Sequence, residues 1–98
     1  MADDAVGTEV RDNPDRGRYE LTVDGALVGI ADYRDTGEAL LFPHTEIDSS
    51  RRGQGHGAIL VRGALDDVRR QGRSVIPACW YVAEFIRDNP DYADLVAD

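Results

Sequence analysis

Arg51-Arg52-Gly53-Gln54-Gly55-His56-Gly57 runs without a break into Ala58-Ile59-Leu60-Val61-Arg62-Gly63-Ala64-Leu65-Asp66-Asp67-Val68-Arg69-Arg70-Gln71-Gly72. The second part is helical by its spacing, because Ala58, Val61, Leu65 and Val68 recur every three or four residues as one apolar stripe. Arg69 and Arg70 fall in the last turn, where a cation meets the negative end of the helix dipole, and Gly72 closes the helix. Asp66 and Asp67 read, with those arginines, as its solvated side. The first part is a loop of three glycines at a helix start. Glycine lets successive N–H groups turn into one concavity, and the helix start adds unpaired N–H groups and a positive dipole end. Such a loop receives anions, and Arg51 and Arg52 add local charge whose fork suits phosphoryl oxygens. The plainer alternative is a glycine-rich connection capped by Ser49 or Ser50.

Upstream of the loop the period changes from helical to alternating. Arg18 to Val23 places Tyr19, Leu21 and Val23 on one face, and Asp24-Gly25 is a two-residue hairpin turn. Ala26 to Arg34 follows, with Val28 and Ile30 on one face and Leu27, Ala31 and Tyr33 on the other. After the turn Asp35-Thr36-Gly37, a third strand starts at Ala39-Leu40-Leu41-Phe42, is interrupted by Pro43 and resumes at His44-Thr45-Glu46-Ile47. A proline there removes a backbone donor and predicts a bulge, an edge or a bend. Downstream of the helix, Ser74 to Cys79 reads as a short apolar strand with Pro77 at a splayed position. Trp80 to Asn89 reads as a second helix with Val82, Phe85 and Ile86 inward and Asn89-Pro90 as its stop. Trp80, Tyr81 and Phe85 are read as anchors of that helix in the core, with the lining of an acceptor pocket as the alternative for an aromatic there. The order is β-β-β-loop-α-β-α, an antiparallel meander feeding one strand-helix-strand crossover.

Ninety-eight residues allow one domain and one modest core. Residues 1–17 are acidic and broken by Gly7 and Pro14, a tail or one short edge strand, which leaves residues 18–98 as the folded domain. A composition 42% hydrophobic and 31% charged is that of a folded globule. Nineteen acidic residues outnumber eleven basic ones for a formal charge of -8, so the long-range field repels nucleic acid and anionic membranes, and neither is expected as a partner. One cysteine, Cys79, cannot close an intrachain disulfide, which points to a reducing, cytoplasmic setting. The first fifteen residues carry neither a basic leader nor an apolar core, and no apolar run nears the roughly 18 residues of a membrane span. The two histidines, one cysteine and scattered carboxylates show no metal-ligand spacing.

Two phosphate loops fail against the letters. A nucleoside triphosphate loop requires a lysine and a hydroxyl residue after its last glycine, and here Ala58-Ile59 follow Gly57. A dinucleotide fingerprint belongs in an early strand-helix-strand unit, and here three meander strands come first. The segment Arg52-Gly53-Gln54-Gly55-His56-Gly57 instead resembles the acetyl-CoA loop of the GNAT superfamily of N-acetyltransferases, Gln/Arg-x-x-Gly-x-Gly/Ala, with Arg52, Gly55 and Gly57 at the specified positions. His44-Thr45-Glu46-Ile47, Ala64-Leu65-Asp66, the run Pro77 to Ile86 and Asn89-Pro90-x-Tyr92 resemble a minimal subfamily of about a hundred residues, a likeness that covers Arg18 to Val96.

This resemblance implies an α/β (α+β) chain with a truncated GNAT fold: an antiparallel meander, then a strand-helix-strand-helix unit around a mixed, splayed sheet, without the two helices that shape the acceptor site in larger members. It implies that the pantetheine arm of acetyl-CoA runs between Leu41–Ile47 and Val75–Cys79, with the pyrophosphate on Gly53 to Gly57. The cofactor-binding set is then Ile47, Arg51, Arg52, Gly53, Gln54, Gly55, His56 and Gly57. By the same resemblance His44 and Cys79 lie near the cofactor sulfur, His44 as a base near neutrality and Cys79 as a proton donor or transient acetyl acceptor. A buried hydrophobe is the plainer role for Cys79, and a surface position for His44. Glu46 has equal claim to be an orienting group or a polar strand residue. The implied acceptor is a primary amine, of a small molecule or an exposed protein lysine, on a monomer or weak homodimer. The rival reading on the same fold is a non-catalytic module that binds CoA or acyl-CoA, or a protein partner.

Overall fold

A computed structural model describes residues 7–97; the first six residues of the N-terminal segment discussed above lie outside it. Five strands form one sheet in the order β1 (Thr8–Asn13), β2 (Arg18–Val23), β3 (Ala26–Asp35), β4 (Ala39–Ile47) and β5 (Ser74–Ile76). The first four are antiparallel neighbours, and β5 joins β4 in parallel after the crossover through helix α1 (His56–Arg70). The turn between β2 and β3 has positive φ at both Asp24 (50°) and Gly25 (85°), the conformation that matches the twist of a tight hairpin. β1 is an edge strand paired with β2 along its whole length, Thr8 opposite Val23 through Asn13 opposite Arg18. It is locked to the helix by a close approach: a Cβ on Gly63 would stand 2.7 Å from Val10 Cβ, so only glycine lets α1 lie this near β1.

Two irregularities aim the side chains. Between Leu21 opposite Gly29 and Thr22 opposite Leu27, β3 carries one extra residue, Val28. The alternation that put Val28 and Ala31 on different faces therefore breaks, and both are buried in the one core. In the second, β4 advances from His44 to Leu41 while β3 advances only from Asp32 to Arg34, so Phe42 and Pro43 together oppose Tyr33. β4 is thus one continuous strand with a bulge at Pro43 rather than two pieces. The bulge switches the parity of the strand: Phe42 before it and Thr45 and Ile47 after it face α1, while His44 and Glu46 project from the face that no helix covers.

α1 lies across the other face and buries Leu60, Val61, Ala64, Leu65 and Val68. Ala58, at the first position of the expected stripe, is only partly buried because α1 begins beside an open cleft. Helix α2 (Trp80–Asp88) adds Val82, Phe85 and Ile86, and a 3-10 helix, Pro90–Leu95, adds Tyr92 and Leu95. The polar side of α1 is less solvated than its letters suggest. Asp67 accepts the Tyr19 hydroxyl at 2.7 Å, Asp66 accepts the Tyr92 hydroxyl at 2.7 Å, and Arg69 holds Asp94 at 3.0 Å. Tyr19 stacks edge-on against Tyr33 and Phe42, so the hydroxyl is carried to Asp67 by a packed aromatic cluster.

The strand after α1 is shorter than its apolar letters imply. β5 pairs only Ser74, Val75 and Ile76 with Ala39, Leu40 and Leu41, and it ends at Ile76 rather than at Cys79 because Pro77 has no N–H to continue the ladder. The chain then turns, Ala78 N–H donating to Ile76 O, and Cys79 N–H reaches back to Phe42 O at 2.7 Å. Past that bond β4 continues to Ile47 with no strand beside it on the β5 side among the described residues. The outer edge of β5 is closed by Val96, bridged to Val75, and by Ala97 N–H donating to Val75 O at 2.8 Å.

Candidate functional site

The gap left by the short β5 opens into a cleft of about 850 Å³ walled by the end of β4, the glycine loop, the start of α1 and residues 78–81. The loop is shaped by its own turns. Asp48 accepts the Ser50 N–H and hydroxyl at 3.0 and 2.9 Å, which holds its carboxyl below the usual range with Arg51 adding to the effect. Neither Ser49 nor Ser50 caps α1. The cap position belongs to Gly55, which has φ 83° and no side-chain acceptor to offer. The first intrahelical bond is Ile59 N–H to Gly55 O, so the N–H groups of His56, Gly57 and Ala58 have no intrahelical acceptor, and the first turn holds no acidic residue. Beside Gly53 and Gly55, both at positive φ, a Cβ would meet nothing within 4 Å. Among the described residues neither Arg51 nor Arg52 closes an ion pair.

Gly57 is constrained in the opposite sense. A Cβ there would lie 2.5 Å from the Tyr81 hydroxyl oxygen, so the phenol of α2 is laid directly over the start of α1. Burial raises the Tyr81 phenol above its ordinary value and keeps it protonated, and among the described residues no hydrogen bond engages its hydroxyl. Thr45 presents the other unpartnered group: the residue lines this cleft, and its hydroxyl oxygen is buried with no hydrogen-bond partner among the described residues. An unmet hydroxyl in such a place costs stability unless something fills the site. Backbone donors face the same gap. Asp48 N–H donates to Val28 O at 2.7 Å, and strand alternation from that bond directs the amides of Ile47 and Thr45 away from β3.

At the far end, His44 Nε2 stands 3.7 Å from Glu46 Oε2, with both side chains more than half exposed. Cys79 is 9% exposed at the residue preceding α2, and it shares the cleft with His44 with no hydrogen bond between them. The cleft thus gathers His44, Ile47, Arg51, Arg52, Gly53, Gly55, His56, Gly57 and Cys79. Gln54 is exposed at the tip of the loop and is not part of the wall. His56 is the first residue of α1, with Nδ1 3.5 Å from Arg51 O. Thr45 also lines the wall and escaped the reading of the letters, whereas Trp80 and Tyr81 line it as the alternative to core anchors had it. Trp80 is 72% exposed and is no core anchor, and Tyr81 is only partly buried. The available signal was that these two aromatics directly follow Cys79 at a helix start, where one turn of helix sends them to the loop side.

No group of three or more histidine, cysteine or carboxylate side chains able to hold a metal exists among the described residues. No helix there is long and apolar enough to cross a membrane. A family profile described as GCN5-related N-acetyl-transferase matches residues 18–95. This chain belongs to that family. Protein NATD1 of Bos taurus is 32% identical over 90 residues, which cover 86% of this chain and 78% of that protein. Protein NATD1 of Homo sapiens is 31% identical over the same coverage, and that of Gallus gallus 30%, with 80% of its length covered. The family match spans β2 to the last 3-10 helix, so it contains the bulge of β4, the loop and the gap beside β5. A mixed sheet that splays beyond Leu41 and Ile76, followed by the helices, is a truncated form of the family's fold, and membership supports an acetyltransferase-like function.

Proposed function

We propose that this protein transfers the acetyl group of acetyl-CoA to a primary amine. The observation that carries the reading is the junction of two features: an uncapped helix N-terminus with unpaired arginines, and a sheet gap leading from it to a histidine and a cysteine. The residues fit the cofactor. Three free N–H groups with Arg51 and Arg52 suit a diphosphate, and open space beside Gly53 and Gly55 lets it approach the backbone. The amides of Thr45 and Ile47, turned away from β3, suit the amide groups of a pantetheine arm, and the protonated Tyr81 hydroxyl offers a donor where arm and loop meet. When bound, acetyl-CoA supplies an acyl group activated as a thioester.

The chain's own part is then positioning and proton management. In this reading His44, on the uncovered face with Glu46 at 3.7 Å, takes a proton from the incoming ammonium and leaves a neutral amine. A carbon-nitrogen bond forms, the carbon-sulfur bond breaks, and the thiolate needs one proton. Cys79, which shares the cleft with His44, is the donor in this reading, and the second proton that the nitrogen sheds as the amide forms restores its thiol. Direct transfer needs no covalent step on the enzyme.

The test is thiol release from acetyl-CoA with a panel of primary amines, comparing Cys79→Ala and His44→Gln with the parent. Loss of turnover by about a hundredfold with CoA binding retained supports the assigned roles. CoA binding with no thiol release across the panel would favour the non-catalytic CoA-binding module. All eleven basic residues other than histidine are arginine. With no lysine to accept an acetyl group, intact-mass analysis after mixing with acetyl-CoA reads a thioester on Cys79 without lysine background, and direct transfer predicts an unmodified chain.

A further inference from the structure

The two edges of the sheet are finished differently. The chain closes the outer edge of β5 itself, through the bridge from Val96 to Val75 and the Ala97 N–H on Val75 O. β1, at the other end of the strand order, has no strand on its outer side among the described residues. The bond from Asp24 N–H to Gly7 O fixes which backbone groups face β2, and alternation from it turns the N–H and C=O of Thr8, Val10 and Asp12 outward. Open edges are commonly blunted by a proline, a bulge or charged side chains. β1 contains no proline, and its register with β2 is unbroken from Thr8 to Asn13. Val10 packs toward α1 at Gly63, so Glu9 and Arg11 on either side of it project from the uncovered face. They are one charge of each sign and therefore repel a neighbouring strand only in a mismatched register.

A second copy of this chain supplies the matching register. Two β1 strands run antiparallel about a two-fold axis at Val10 set Val10 opposite its own copy, where the outward N–H and C=O groups exchange two hydrogen bonds. Glu9 then stands opposite Arg11 of the second copy, and the same pair recurs across the axis. Moving the axis to Glu9, Arg11 or Asp12 sets that residue against itself and brings two like charges together. We propose that this chain self-associates through β1 in the Val10-centred register, joining two five-stranded sheets edge to edge. Each copy carries a net charge of -8, so long-range repulsion opposes the pair, short-range bonds hold it, and the dimer is a weak one. The cleft lies beside β4 and β5, at the opposite side of the sheet, so it stays open in both copies and association is independent of acetyl transfer.

Sedimentation equilibrium across a range of protein concentrations reads the association, and charge reversal reads the register. Glu9→Arg or Arg11→Glu places like charges at both crossings, and each variant is expected to self-associate at least about tenfold more weakly than the parent. The double variant Glu9→Arg with Arg11→Glu recovers the parent's dimerisation. An equimolar mixture of the two single variants dimerises as well, because each crossing in the mixed pair again joins opposite charges. Arg11 also stands opposite Glu20 within its own sheet and Glu9 opposite the neutral Thr22, so melting temperatures are compared, and Glu9→Arg carries the decision if Arg11→Glu unfolds. In the parent, exchange of the Val10 and Asp12 amides slows as concentration rises, while the Glu9 and Arg11 amides, already turned to β2, do not change. A parent that stays monomeric at every concentration overturns the proposal, as does equal dimerisation of the parent and a folded single variant. Failure of the folded double variant or of the mixture to dimerise, or protection confined to residues outside β1, overturns it too.

Discussion

Tyr81 shows how much one side chain settles in this protein. Its ring occupies the space a methyl group on Gly57 would need, and its hydroxyl is protonated and unengaged at the start of α1. Tyr81→Phe therefore removes no hydrogen bond from the fold. Its melting temperature should match the parent's, while CoA affinity drops by about three- to tenfold, the equivalent of one neutral hydrogen bond. Gly57→Ala should do worse in the same calorimetric assay, because the ring must move before any cofactor enters. Tyr19 and Tyr33 carry the opposite lesson. Their hydroxyls are donated at 2.7 Å to Asp67 and Asp12, and burial first, with those carboxylates second, drives both phenols above their ordinary value. A group raised in the folded state contributes stability that is present below its unfolded pKa and lost as pH rises past it. Denaturant midpoints should accordingly hold to about pH 10 and fall above it, and the double variant Tyr19→Phe with Tyr33→Phe should lose part of that alkaline slope. A slope unchanged in the double variant would contradict the assignment.

At the scale of elements, the junction of α1 with the C-terminal 3-10 helix is held by Arg62. Its guanidinium lies 5.3 Å from the Phe85 ring centre and 5.6 Å from that of Tyr92, and it donates to Tyr92 Oη and Asn89 Oδ1, each at 3.2 Å. That region supports Val96 and Ala97, which close the outer edge of β5. Arg62→Ala should lower unfolding free energy by about 1–2 kcal/mol, and amide exchange should quicken in residues 90–97 and in β5 before the β1–β3 meander responds. Uniform exchange across both regions would mean that the two halves open together. The elements were largely legible in the letters because periods of 2 and 3.6 are printed in the apolar residues, and Pro43 announced its bulge by lacking an N–H. The faces after each bulge were not legible. An extra residue at Val28 or Pro43 inverts the parity of all that follows, and where the extra residue sits is set by pairing partners far away in sequence. The same limit hid the polar contacts of α1: Asp66 and Asp67 look solvated until Tyr92 and Tyr19 arrive from 26 and 48 residues away.

For the whole molecule, the fold gathers Arg51, Arg52 and the start of α1 at one cleft within a chain of net charge -8. Such a chain repels anions at long range, so the loop must hold a diphosphate through short-range contacts, and its affinity should be concentrated in a few groups. The loop was legible because its glycines and arginines are contiguous. The rest of the wall was not, because Thr45 of β4 and Tyr81 of α2 meet the loop only in the folded chain. The central claim is that the helix start and its arginines hold CoA, and calorimetric titration of CoA into the parent and into Arg51→Glu with Arg52→Glu tests it most directly. Saturable binding to the parent is predicted, weakened by about tenfold or more in the reversed-charge variant with the melting temperature unchanged, since neither arginine closes an ion pair among the described residues. No saturable binding to the parent, or equal affinity in the two proteins, would contradict it.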